Sequence, residues 1–140
     1  MYHMVITMQS EKEGFEVVVQ NPDFKCAFIT ASPQYAYGKV NALKRHNDSD
    51  EVFVLLSGNA VLLTKDDADT HYQTTSLRLK TAHNVTKGTW HHLAVSADAV
   101  VFVAESGSMK RENTQTVHID ADDIYIYAAP NDPVGTDRTD

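Results

Sequence analysis

Cysteine occurs once in the 140 residues, at Cys26. No intramolecular disulfide can form, and a structural zinc site built on paired cysteines is excluded. In Phe24-Lys-Cys-Ala-Phe-Ile29 the lone thiol reads as a small buried hydrophobe before it reads as a nucleophile. Long hydrophobic runs are missing too: Val52–Leu56 and Ala99–Ala104 fall far short of a membrane span. No basic n-region precedes an apolar stretch at the N-terminus, so a soluble, cytoplasmic protein is expected. Basic residues are scarce, 12 Lys and Arg against 19 Asp and Glu, for a formal net charge of −7. That excess argues against binding phosphate backbones or an anionic membrane, so neither nucleic acid nor membrane is an expected partner. Gly-x-Gly-x-x-Gly, a phosphate-binding Gly-rich loop and a Gly-x-Ser-x-Gly elbow are all absent. A glycosidase needs two inward carboxylates, and by position only Glu51 qualifies.

What is present is one domain's worth of chain, 42% hydrophobic, large enough to fold without a staple. The charge is uneven. Residues 119–140 hold six aspartates and one arginine, a net −5, leaving −2 for the remainder. A single domain over 1–130 with a frayed acidic tail over 131–140 is expected. Through the body the hydrophobic pattern has period two. Phe15–Gln20 reads as a strand ended by Asn21-Pro22-Asp23, and Phe24–Thr30 as a second ended by Ser32-Pro33. Residues 35–40 alternate like a strand. Val52–Leu56 and Ala60–Leu63 flank a tight Ser57-Gly58-Asn59 turn. Thr74–Thr81, Asn84–Thr86, His91–Ser96 and Ala99–Glu105 complete the strand-like segments, with turns at Thr86-Lys87-Gly88 and Ala97-Asp98. Ser106–Thr116 reads as a polar loop, and Ile119–Tyr127 suits either a last strand or a short Asp-capped helix. Eight to ten short strands, with no sustained helical spacing before residue 119, predict an all-β sandwich, barrel or jelly roll.

Chemistry concentrates in two blocks. In His46-Asn-Asp-Ser-Asp-Glu51-Val-Phe-Val-Leu-Leu-Ser-Gly58 a histidine stands five residues before a glutamate and a glycine seven after it. In Thr86-Lys-Gly88-Thr-Trp-His91-His92 a turn glycine precedes a strand-opening histidine by three. These blocks resemble the paired motifs of the cupin superfamily over roughly residues 35–105, which implies an antiparallel β-barrel or jelly roll. The combination with Ser96-Ala-Asp-Ala-Val-Val-Phe-Val-Ala-Glu105 and Glu112-Asn-Thr114 is similar to a set of small bacterial cupins without assigned activity. The Gly-Thr-Trp-His-His run also resembles ureidoglycolate lyases, although the first block matches them less well. The sequence departs from the family pattern at Lys44, where the first motif has a histidine, at Thr86, where the second has a proline, and near Val95, where it has an asparagine.

The resemblance implies His46, Glu51 and His91 as ligands of a divalent metal such as zinc, iron, manganese or nickel. Two imidazoles and a carboxylate suffice for a facial site with open positions. It also implies a small-molecule ligand, a sugar or organic acid, held in the lumen. If the site is catalytic, His46, His91 and Glu51 are its acid, base or ligand groups and Lys44 its anion clamp or electrophile, in lyase, isomerase or oxygenase chemistry on a small carboxylate. Lys44 has two expected placements: away from the lumen, or in a metal's place and paired with Glu51. Strand parity puts Lys44 with His46, Glu51 with Phe53 and Leu55, and His91 with Leu93 and Val95, leaving His92 structural or exposed. His83 is as much a surface residue as a neighbour of the site, and His3, His71 and His118 read as surface residues. Tyr35 and Tyr37 suit lumen or core. Edge strands that need covering predict a homodimer, with Phe15–Val19 and Phe24–Ile29 as the pairing runs.

Overall fold

The computed structural model describes residues 3–68, 72–108 and 114–119. Ten strands lie within them: β1 (Phe15–Gln20), β2 (Phe24–Thr30), β3 (Ala42–His46), β4 (Glu51–Ser57), β5 (Ala60–Lys65), β6 (Gln73–Ser76), β7 (Ala82–Val85), β8 (Trp90–Val95), β9 (Val100–Ser106) and β10 (Thr114–His118). They form two five-stranded antiparallel sheets, ordered β1-β2-β9-β4-β7 and β10-β3-β8-β5-β6. The alternation of β4 is the pattern of a strand with one face inward: Glu51, Phe53 and Leu55 are buried, and Val52 and Val54 only half so. Between the sheets lie Ile29, Phe53, Leu55, Leu62, Leu77, Leu93, Val95, Val101 and Val103. A second cluster of Val40, Leu43, Leu63 and Ala94, with Tyr37, Tyr72, Trp90 and Ile119 against it, covers the outside of the second sheet. That cover explains why β5 is apolar on both faces.

The chain passes between the sheets at the same end three times, from β4 to β5, β6 to β7 and β8 to β9. Two of these crossovers are tied together: Ser96 N–H donates to the Asn59 carbonyl at 2.9 Å, and Asn59 N–H to Ser96 Oγ at 2.9 Å. Gly58 is required here. Its φ is +71°, and a Cβ would meet the Ala99 backbone at 2.6 Å. The turn was legible in the sequence, but the strands it joins do not pair with each other; they part into different sheets.

Three other expectations change. Residues 35–40 are not a strand, because Pro33 opens a 3-10 turn over Pro33–Tyr35 and Gly38 takes φ +75°. The strand expected over Thr74–Thr81 ends at Ser76, since Leu77 turns into the core and Lys80 adopts φ 59°. The segment read as a loop, Ser106–Thr116, runs at Thr114 into β10, which pairs with β3 from Thr114↔His46 to His118↔Ala42. An outer strand needs backbone partners more than an apolar face, so its polarity hid it. Beyond Ile119, the alternatives for the stretch to Tyr127, the domain limit at 130 and the expected tail lie outside the described residues, as does His71.

Candidate functional site

Antiparallel pairing carries the inward faces of β4, β8 and β9 past one another, so that their ionisable residues meet at one end. Glu51 lies directly across from Glu105, and Lys44 across from His91. His46 closes β3 two residues beyond Lys44, on the same face. These residues line a pocket of about 460 Å³ with Lys25, Tyr35, Phe53, His92 and Thr114.

One carboxylate oxygen organises the cluster. Glu51 Oε1 stands 2.9 Å from His91 Nε2 and 3.2 Å from His46 Nε2, with Glu51 and His91 both buried. The ligand atoms of all three residues lie within 4.8 Å of one another. His91 Nδ1–H donates to the Thr89 carbonyl at 3.0 Å, which leaves Nε2 as the ring's lone-pair nitrogen in the neutral form. A lone pair facing a carboxylate oxygen at 2.9 Å is repulsive unless a positive charge intervenes, either a proton or a metal ion. Burial alone would lower the His91 pKa, but the Glu51 carboxylate outweighs it and raises the value. The same contact works in reverse on Glu51, where hydrogen bonds and charge from both imidazoles overcome burial and hold the carboxyl well below its ordinary range.

The donor set fits a divalent metal. Bonds of about 2.0–2.1 Å would put neighbouring donor atoms roughly 3.0 Å apart in octahedral and roughly 3.4 Å in tetrahedral geometry, and 2.9 and 3.2 Å are close to those spacings. Each imidazole also has a partner for its far nitrogen, Thr89 for His91 and Thr114 Oγ1, at 3.0 Å, for His46. Such partners fix the ring that presents its other nitrogen to a metal. A bound metal would supply Lewis acidity toward a ligand oxygen.

Lys44 follows neither expected course. It lines the pocket but is exposed at its mouth, and the ion pairs of Glu51 are to His46 and His91. Of the two readings of His92, structural or exposed, the second fails: the ring is half-buried and packed, and it reaches the pocket as well. β3 and β8 pair only at Lys44↔His91, and Tyr35 stacks on the His92 ring at 5.3 Å between centroids. His92 lines the pocket, donates from Nδ1 to the Leu93 carbonyl, and has its pKa pushed down by burial to about 4. Burial, with Glu51 nearby, raises the Tyr35 phenol to about 12, so its hydroxyl keeps its proton.

The residue sequence reasoning missed is Glu105. Its side chain is 4% exposed, and it faces the pocket beside Glu51 with Lys25 Nζ at 3.7 Å. Two neighbouring carboxylates cannot both ionise cheaply away from water. Burial and Glu51 together raise Glu105 to about 8 in spite of Lys25. Its place opposite Glu51 depends on strand order, which no motif spacing reveals.

This arrangement of sheets is a cupin-type jelly roll. Among solved structures, the chain is similar to Streptomyces Pac13 with uridine, at TM-score 0.61 and 11% identity over 86% of this chain and 97% of that one. Pac13 is described as a nucleoside dehydratase. KdgF from Halomonas sp. superposes at TM-score 0.53, with 16% identity over 74% of this chain and 90% of that one. The capsular polysaccharide assembling protein CapF from Staphylococcus aureus does so at 0.56, with 12% identity over 85% of this chain but a third, 33%, of that longer one. No protein-family model and no curated protein sequence matches the chain. At these identities the likeness is one of fold.

Proposed function

We propose that the pocket between the sheets binds a small hydroxylated acid, a sugar acid or related organic acid, against a divalent metal held by His46, Glu51 and His91. The observation that carries this reading is the meeting of two imidazole Nε2 atoms at one buried carboxylate oxygen, an arrangement that calls for a cation. The charge of the lining favours an anionic ligand: with a divalent metal bound, the metal, Lys25 and Lys44 outweigh Glu51 and Glu105. In a chain of net charge −7 this is a local reversal of sign. Tyr35, which keeps its hydroxyl proton, offers a ligand oxygen a donor.

Elemental analysis of protein purified without chelator, followed by calorimetric titration with zinc and then with gluconate, tests the reading. One metal per chain, lost in Glu51→Gln and in His91→Ala, and gluconate binding that depends on it are expected. A metal-free protein that refuses zinc but still binds gluconate would overturn the metal part. It would favour instead a proton-driven lyase, in which Glu105 beside Glu51 is the acid; the likeness to a nucleoside dehydratase makes that the second reading. A homodimer belongs to the same proposal. β1 is an outer strand with Phe15, Val17 and Val19 exposed, and Met4, Val5, Ile6 and Met8 ahead of it are exposed as well. Light scattering at micromolar concentration is expected to give the mass of two chains, and a single-chain mass would remove the dimer.

A further inference from the structure

A second cavity, of about 370 Å³, opens along the other edge of the sandwich, where β6 and β7 are the last strands of their sheets. It shares no lining residue with the first. The wall between them consists of paired backbone: Val85 lies across from Glu51, and Thr64 across from His91. Inward positions of a sandwich are normally filled with hydrocarbon, and here that holds for Leu62 and Val85 only. Gln73 and Thr75 take the inward positions of β6 opposite Thr64 and Leu62, and His83 takes that of β7 opposite Phe53. Thr86 and Thr89, hydrogen-bonded to each other at 3.2 Å, line the end of the cavity.

His83 supplies the second observation. Its Nδ1 is buried and has no hydrogen-bond partner. Buried polar atoms are nearly always satisfied, and leaving one bare costs about 1–3 kcal/mol. Nδ1 itself lies inside the wall; an occupant of the cleft meets the rest of the ring and the hydroxyl and amide groups around it. The charged lining groups, Lys65 and Asp66, are adjacent and opposite in sign. The remaining side chains are hydroxyls, amides, the imidazole and two hydrocarbons. Lys65 and Asp66 offset one another, so the lining favours neither an anion nor a cation. A neutral molecule with several hydroxyls would meet donors and acceptors along the walls of the cleft, and the volume is within the range of small-molecule sites.

We infer that this cleft is a second binding site, for a neutral polyhydroxylated molecule of monosaccharide size, on the reverse side of the wall that carries Glu51 and His91. The inference does not rest on the metal reading of the first pocket. The backbone also links the two: Thr89 lines the cleft with its side chain, while its carbonyl holds His91 Nδ1–H. An occupant is therefore one residue from the ring that faces Glu51.

Nuclear magnetic resonance of the full chain, with ring and amide signals assigned, reads the site directly while glucose, ribose and glycerol are added in turn at up to tens of millimolar. At least one sugar is expected to give saturable shifts at the His83 ring and at the Thr64, Thr75 and Thr86 amides, at concentrations that leave the His46 ring unmoved. The apparent affinity is expected to fall tenfold or more in Thr75→Val and in His83→Phe. Two variants on separate strands, and a readout already complete in the unmodified protein, keep the test valid if one variant fails to fold. Shifts that never saturate, shifts confined to the first pocket, or undiminished binding in a folded His83→Phe would each overturn the site. Failure of gluconate or zinc to bind the first pocket would leave these shifts unchanged, so the two proposals fail separately.

Discussion

Three strands run the length of the interior and change character along the way. On one face β4 reads Glu51, Phe53, Leu55, β8 reads His91, Leu93, Val95, and β9 reads Glu105, Val103, Val101. At the crossover end the shared core is hydrocarbon, sealed by Leu77 and the Gly58 turn. At the other end the same faces carry two carboxylates and an imidazole, joined by His46 from β3. The contrast separates two jobs within one sandwich. Apolar burial at one end holds the sheets together, which lets the other keep buried charges that contribute little net stability themselves.

The largest expected effect breaks the apolar end. Leu55→Ala removes a side chain that is 2% exposed and should cost about 2–5 kcal/mol, read as a lower urea midpoint. If the ends are independent, zinc affinity of the folded variant stays within a factor of about two, because sites without shared partners are nearly additive. A tenfold loss of affinity would show that the core sets the geometry of the cluster.

The next effect belongs to the ionic end and is a dependence on pH in the metal-free protein. Glu105 is raised in the folded chain from 4.5 to about 8, so the folded state holds a proton that the unfolded state has released. Its contribution is complete below pH 4.5 and is lost as pH rises toward 8. His91 is raised as well, so its contribution is complete below its unfolded value of 6.5 and is lost as pH rises through its folded value. Glu51 is depressed, so its contribution is present above its unfolded value of 4.5 and is lost as pH falls through its folded value. Stability should therefore peak near pH 5 and decline toward pH 8. Thermal midpoints should fall by more than about 4 °C over that interval, the size of change that ~1 kcal/mol produces in a chain of this length. Glu105→Gln should flatten the decline. An equally steep decline in that variant would assign it elsewhere.

How far the two ends were legible follows from what each depends on. The apolar end shows in the uninterrupted apolar runs 52–56 and 99–104 and in the turn at Gly58, because a short apolar run bounded by turn residues marks a buried strand. The meeting of His46, Glu51 and His91 was legible through motif spacing. Glu105 was not: an acid at the end of an apolar run looks solvated until β9 is known to pair with β4. His92 was hidden for a related reason, since strand parity assumes a continuous ladder and β3 and β8 pair at one position only. β10 was hidden by its polar composition, yet it supplies Thr114 to His46.

A smaller effect tests whether the ionic end is a metal site short of one ligand. Lys44 stands across from His91 and lines the pocket, so Lys44→His would add an imidazole on the lumen side. Calorimetry with zinc or nickel is expected to show affinity at least about tenfold tighter, ~1.4 kcal/mol. Unchanged or weaker binding would mean that the lumen is not built for a fourth ligand, and it would favour the metal-free reading.

The smallest effect concerns a brace outside the sandwich at this same end. The Arg45 guanidinium lies 4.3 Å over the Trp90 ring, and Asp67 accepts from both, at 2.9 and 3.0 Å from Arg45 and 2.8 Å from Trp90 Nε1. Trp90 immediately precedes His91, so the brace could in principle position the cluster. Its energetics argue otherwise. The Asp67 side chain is 75% exposed, and an ion pair in that setting contributes about 0–1 kcal/mol. The cation–π stack at such a site adds roughly 0.5–1 kcal/mol and survives loss of the carboxylate. His91 is held meanwhile by the Thr89 carbonyl and Glu51, neither of which touches the brace. Asp67→Ala is therefore expected to lower stability by less than about 1 kcal/mol, with the deficit shrinking at high salt. Zinc affinity and the pH of maximum stability should stay unchanged. A shift in either would mean that the ionic end draws its geometry from the outer surface as well as from the strands that carry it.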